Sequence, residues 1–460
     1  MKKGNTLSRR DFLRTSALAG VGLALVACAP PAANAPAAAG GGGAAPAAAS
    51  TTIRWMSRAS AEDNPVIQKH MDEQFTAKNP NIKVTIEPAP DGWEQKLLAQ
   101  MVAGTAVDVF EAWGNIFFNW TERDLLLDVQ SFVDRDLKEA DIKDFNDFQW
   151  TGLQMRGKRV GMPKYINVMT VTVNKDLFEK YGVDLPPVDG KWNHDDYAAM
   201  AKKLTDAARK AGNQNQWGGW KPAWSWDRFW NTVYMFDGKI ADQKYGTKCL
   251  MDSKESQAGL QWMYDRIWKD NTFAQPGQIE KKWGDDALAP GFVAFIEDGT
   301  YPIYRDRKLG ADGAKITWDM FHVPTGPTGK RSVLGTTDAW SITKQTKHAE
   351  ESWKVLNYLA GPTFQDAITV GLQGLIPVQK SRIASFIQTV RKVRPSLEKV
   401  RLETIDELLK WGYAEDSFWF NKQQAAYDII NPALSKVYEV GDVGPEYFID
   451  IAKKVNDSQA

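Results

Sequence analysis

Between Thr51 and Ala112 the hydrophobic period switches repeatedly between the two-residue repeat of a strand and the helical repeat of about 3.6. Thr52-Ile53-Arg54-Trp55-Met56 is β-like. Asn64 to Lys78 carries Ile67, Met71 and Phe75 on one helical face, and Asn79-Pro80 stops it. Ile82, Val84 and Ile86 alternate as in a half-buried strand, Trp93 to Ala103 is helical up to Gly104, and Ala106 to Ala112 is a short strand. This order predicts a parallel α/β sheet with ligands beyond the carboxyl ends of its strands. Further on, Gly161 to Val173 reads as extended. Asn193 to Lys210 and Glu255 to Lys269 read as helices, Ile316 to Val323 as a strand, and the C-terminal part as mostly helical.

What precedes Thr51 does not belong to that pattern. Residues 1–27 have a basic start, an apolar stretch from Leu18 to Ala27, and small residues up to Cys28, the layout of an export leader. Ser8-Arg9-Arg10-Asp11-Phe12-Leu13-Arg14 resembles the twin-arginine signal, and Leu25-Val26-Ala27-Cys28 the bacterial lipobox. The expected mature N-terminus is therefore a lipidated Cys28, holding the protein to the outer face of the cytoplasmic membrane by its acyl chains. Residues 29–50 contain 12 Ala, 4 Pro and 4 Gly. Such a segment buries too little apolar surface to offset its ordering entropy, so 28–50 is expected to be a tether.

Composition removes whole classes of function. The 460-residue chain has 57 basic and 57 acidic residues, and without the leader acidic residues are in slight excess. No dense Lys/Arg stripe offers polyphosphate contact, so nucleic acid is not an expected partner. Only Cys28 and Cys249 are present, and the four histidines are scattered, which argues against an internal disulfide, a zinc site or a His-centred catalytic site. No G-x-S-x-G, H-E-x-x-H or G-x-G-x-x-G motif occurs. Gly326 to Arg331 lacks phosphate-loop spacing, and Asp306 to Asp312 lacks calcium-loop spacing. No cofactor, no metal and no catalysis are expected. A pair of glycosidase carboxylates stays open, because their separation is spatial.

Four segments carry a family resemblance: Gly157 to Pro163 (GKRVGMP), Val171 to Val183 (VTVNKDLFEKYGV) followed by Pro186-Pro187, Phe292 to Tyr301 (FVAFIEDGTY), and Ser341 to Trp353 (SITKQTKHAEESW). In this order, and behind a lipobox, they resemble the sugar-type extracellular solute-binding proteins of ABC importers. The resemblance implies a two-lobe, periplasmic-binding-protein-like α/β fold whose lobes are joined by crossing strands around an interlobe cleft. It puts the first lobe at 51–165 plus 322–361 and the second at 166–321 plus 362–460. It implies a monomer that captures a small solute, most simply an oligosaccharide, and presents it to the importer's permease subunits. A peptide, polyol or phosphodiester on the same fold is the alternative, and a surface glycoside hydrolase a more distant one.

Nineteen tryptophans set the chain apart, and Trp217, Trp220, Trp224, Trp226 and Trp230 fall within 14 residues. An indole is a flat apolar plate that can cover the C–H face of a pyranose. By alignment on the family, Trp226 and its neighbour Trp224 reach the cleft, while Trp217, Trp220 and Trp230 serve the core. The resemblance also maps an aromatic and a hydrogen-bonding contact onto Trp113 and Asn115, ligand-facing positions onto Tyr165 and Asn167, and a stacking aromatic onto Tyr301. Asp338 stands in a polar Thr336-Thr337-Asp338 where relatives are often glycine-rich. Ser57 and Arg58, ending the first strand, are candidates for hydroxyl or anion contact. Trp411, before Gly412, is a further aromatic candidate.

Overall fold

Alternation in Thr51–Ser57 sends Ile53 and Trp55 into the core and leaves Arg54 outside, where it pairs with Glu87 at 2.6 Å. The strand runs parallel to Ile82–Pro88, with Thr51 opposite Ile82 and Ser57 opposite Pro88, and parallel to Val109–Ala112 on its other side. The computed structural model describes residues 50–221, 226–279, 287–309, 315–414 and 420–460. The leader, Cys28, the tether up to residue 49 and Trp224 lie outside the described residues, and of Trp226 only the backbone is described.

The three parallel strands are as expected, but the sheet does not stay parallel. Ala339–Ile342 adds antiparallel to Val109–Ala112, and Met162–Pro163 closes the edge antiparallel to Ala339–Ile342. Gly161 is required there, since a Cβ would overlap the Trp340 carbonyl oxygen. The second, four-stranded sheet has the order Trp318–Phe321, Met169–Asn174, Val293–Gly299, Trp217–Trp220, and only its last pair is parallel. Every residue of Met169–Asn174 and Val293–Gly299 is buried, because helices and loops cover both faces.

Two bodies of core follow these sheets. Ile53, Val84, Val109, Trp340 and Trp353 pack together on the first, beside a smaller cluster around Phe110, Phe117 and Trp120. Val171, Trp217, Trp230, Phe273 and Phe295 belong to the second. Val323, Val333 and Leu334 pack on the second sheet, whereas Phe364, Ile368 and Val378 pack on the first. The reason is local: strand Val333–Gly335 pairs with Gly412–Ala414, so the chain returns to the first sheet only at Ala339.

Three segments run side by side between the cores. Ile166 bridges Ile376, Val168 bridges Gly335, and the Lys164 amide donates to the Asp338 carbonyl at 2.9 Å. The Gln149 side-chain amide donates to the carbonyls of both Tyr165 and Thr336, tying two of these crossings together. Away from them, the hairpin turn at Arg156 reaches the other body. Its guanidinium lies 4.2 Å from the Tyr245 ring centroid and donates to the Asn421 carbonyl at 2.6 Å. Among the described residues no helix is long and apolar enough to cross a membrane.

Candidate functional site

The first wall forms where strand Thr51–Ser57 ends. Ser57 is buried, and its hydroxyl accepts the Ala59 amide at 3.2 Å, which turns the chain. The Arg58 amide then donates to the Glu111 carboxylate, and its guanidinium lies over the Trp113 ring at 4.4 Å and the Trp93 ring at 5.6 Å. The two indoles meet edge-on, 5.6 Å apart. Trp113 is the extended residue that caps helix Gly114–Glu122, so strand end and helix start together hold its ring. Asn115, in the first turn of that helix, keeps a buried Oδ1 that no donor reaches among the described residues.

Charge concentrates beside this platform. Asp338 Oδ1 is 3.7 Å from Arg58, and its other oxygen accepts the Thr336 hydroxyl at 2.8 Å. At 3.7 Å the ion pair is too long for a hydrogen bond, so among the described residues the Arg58 guanidinium is held by stacking and attraction. Lys164 is buried against Glu111, and burial, helped by Arg58 and opposed by Asp338, pushes its pKa down to about 7. Burial raises the Glu94 carboxyl, with Arg58 pulling the other way.

The crossing chain continues the site. Tyr165 is buried, and burial, then Asp338 and the tyrosines at 301 and 304, push its phenol well above the usual range. Asn167 Oδ1 accepts the Thr300 hydroxyl at 2.9 Å, which leaves its NH₂ donors and a second lone pair on Oδ1. The contact is close because Gly299 has no side chain; a Cβ would overlap the Asn167 amide. Tyr301 opens a turn after Val293–Gly299 and meets Tyr304 edge-on at 6.0 Å. Tyr165, Asn167, Thr300, Tyr301, Tyr304 and Ile376 line a small, partly open cavity of about 10 Å³, room for little more than a water.

Of the sequence-derived candidates, the structure therefore brings Arg58, Trp113, Tyr165, Asn167, Tyr301 and Asp338 into one run of contacts. Ser57 and Asn115 support it from within. Trp411 ends helix Thr404–Trp411, 47% exposed and outside the cavity lining. Trp217, Trp220 and Trp230 are buried, as core residues should be. Lys164, Glu111, Trp93, Thr300 and Tyr304 escaped the sequence reading. Tyr304 alone left a visible signal, a second aromatic three residues after Tyr301. Among the described residues no group of three or more His, Cys, Asp or Glu converges as metal ligands would.

The sequence profile of the bacterial extracellular solute-binding proteins matches residues 58–366, about two thirds of the chain. The chain belongs to that family. A binding protein of Brucella abortus (strain 2308) is 25% identical over 343 residues, covering 70% of this chain and 74% of its own. The fold is that of an ABC substrate-binding protein from Listeria monocytogenes solved in complex with cycloalternan, at TM-score 0.72 and 22% identity, covering 89% of this chain and 97% of that one. A Thermotoga lettingae solute-binding protein bound with α-D-tagatose gives 0.71 at 20% identity over 89% and 100%. A Mycobacterium tuberculosis protein in complex with glycerophosphocholine gives 0.71 at 17% identity over 89% and 98%. This solute-binding protein thus has the two-lobe fold of its family, whose members bind rather than transform their ligands.

Proposed function

We propose that this solute-binding protein captures an oligosaccharide between its lobes, leaves it chemically intact, and hands it to an ABC importer from a lipid anchor at Cys28. The observation that carries the reading is the pair of indoles Trp93 and Trp113, set edge-on, adjoining a run of Arg58, Asp338, Tyr165 and Asn167. Flat apolar rings next to alternating donors and acceptors suit a pyranose, which has a C–H face and a rim of hydroxyls. Covering about 100 Å² of sugar C–H surface contributes roughly 2.5 kcal/mol. Similarity to the cycloalternan and tagatose complexes supports the same class. A second reading, a phosphodiester, is favoured by one feature: the guanidinium of Arg58 suits a phosphate, and a structural relative was solved with glycerophosphocholine.

A thermal-shift panel of neutral oligosaccharides, monosaccharides, glycerophosphodiesters and peptides separates these readings. Ligand at a hundredfold excess over Kd stabilises by about 2.7 kcal/mol, a shift of a few degrees. Oligosaccharides are expected to give it and to be recovered uncut after long incubation. A shift with phosphodiesters alone, or shortened products, overturns the proposal. The anchor is tested separately: Cys28→Ala should release the protein from membranes of a host that processes lipoproteins.

A further inference from the structure

Deep in the second body lies an ion pair that the ligand site does not use. The Lys221 side chain is 0% exposed and that of Glu297 2%, with the ammonium bonded to Glu297 Oε1. Asn231 Nδ2 donates to the same oxygen at 3.1 Å. Asn231 Oδ1 in turn accepts the Ser332 hydroxyl at 3.0 Å, the Leu334 amide at 3.2 Å and the Tyr413 hydroxyl at 3.2 Å. One small polar cluster therefore joins five stretches of chain, at 221, 231, 297, 332–334 and 413.

Four of these stretches lead, in sequence, to a group proposed for the cleft, and the fifth lies beside the exposed Trp411. Lys221 immediately precedes the segment containing Trp224, and Asn231 sits in the helix Trp226–Met235, which begins with Trp226. Glu297 is four residues before Tyr301 in the strand that delivers it. Leu334 lies on the crossing strand that runs on to Asp338, and Tyr413 follows Trp411 by two residues. We infer that Lys221, Glu297 and Asn231 are positioning residues, a buried hub that sets where the second lobe's cleft-facing chain segments stand, without touching the ligand. This rests on the cleft reading given above.

Stability is a poor reason for such a hub. A buried ion pair must repay the desolvation of two charges, and apolar residues of similar size often serve as well or better. Burial does act on it, lowering the Lys221 pKa against the pull of Glu297. What an apolar pair lacks is direction: hydrogen bonds converging on one amide and one carboxylate admit a single register of the elements they join. The surroundings are apolar enough to keep the parts together without it, since Trp217, Trp220, Trp230 and Phe295 belong to the same core.

The test replaces direction while keeping volume. Lys221→Met with Glu297→Leu, Asn231→Leu, and the mild Tyr413→Phe are made in protein labelled with 5-fluorotryptophan, with resonances assigned by single Trp→Phe changes. In ligand-free protein the ¹⁹F resonances of Trp224, Trp226 and Trp411 are expected to shift or split, while those of Trp113 and Trp353 in the first lobe stay in place. Affinity for maltotetraose, used as probe, should fall tenfold or more in folded Asn231→Leu. If the second-lobe resonances superimpose on wild type in all three variants, or if Trp113 and Trp353 move as far as they do, the hub is ordinary core. Should wild-type protein ignore maltotetraose, the ligand panel decides the sugar reading and the fluorine result alone decides the hub. Tyr413→Phe keeps the test alive if the larger changes do not fold.

Discussion

Two tryptophans with different surroundings should answer truncation differently. Trp353 is fully buried, and its indole N–H donates to Asp136 at 2.6 Å, so Trp353→Ala should lose roughly 3–5 kcal/mol of stability by denaturant titration. Trp113 is half-buried beneath Arg58, and Trp113→Ala should keep its midpoint while weakening ligand by about 1–3 kcal/mol in calorimetry. Their settings differ: Trp353 shares a buried helix face with Leu356 and Ala360, whereas Trp113 follows the end of a strand. The sequence could not show that Arg58 stacks on Trp113, or that Lys164 lies buried beside Glu111, since both contacts join residues more than fifty positions apart.

Lys164 supplies a pH signature at the same scale. Its folded pKa is about 7 against an ordinary 10.5, so between those values the unfolded chain binds more protons than the native one. Stability therefore rises with pH through this window, by about 2 kcal/mol from pH 7 to 9. Lys164→Met removes this titrating ammonium. Subtracting the variant's unfolding free energy from that of wild type at several pH values should leave a difference that climbs with pH. A flat difference would mean that Glu111 holds the ammonium charged across the whole range.

At the scale of elements, local chemistry was legible and pairing was not. Trp93–Ala103 has the bounds the sequence suggested because Gly92 and Gly104, both at positive φ, punctuate it. Helix His194–Lys210 starts where Asn193 caps it and Asp196 returns the bond. Strand direction is different in kind. Nothing within Ala339–Ile342 says that it will run antiparallel to Val109–Ala112, more than two hundred residues earlier, and the expectation of a parallel sheet failed there. The same junction predicts a sensitive site. In Gly161→Ala the new methyl meets the Trp340 carbonyl, which is held in the sheet by pairing with both neighbours, so the clash cannot relax cheaply. A loss of about 1–3 kcal/mol is expected in denaturant unfolding, with amide exchange accelerated at Met162.

For the whole molecule the question is what sets the angle between lobes. Crossing strands permit rigid-body rotation, and a ligand touching both sides favours one angle by its differential affinity. Arg156 adds a contact that needs no ligand. From a hairpin of the first lobe it stacks on Tyr245, pairs with Glu122 at 2.7 Å and bonds Asn421, while Tyr245 stacks on Phe118 at 6.0 Å. Tyr245 and Asn421 lie in neighbouring loops of the second lobe, joined by the Gly246–Phe420 bridge. This clasp contributes to the energy of the present angle, and removing it should free the lobes to sample others. Spin labels can report it. Val102 on the first lobe is 74% exposed and Val188 on the second 68%, so both accept a labelled cysteine. In a Cys28→Ser background the remaining thiol, Cys249, is buried with its pKa pushed up to about 12, which keeps labelling selective. Without ligand, Arg156→Ala should broaden or displace the Val102–Val188 distance distribution, and saturating ligand should narrow it again. Distributions that superimpose with and without the Arg156 side chain would leave the crossing strands as sole determinants of the angle.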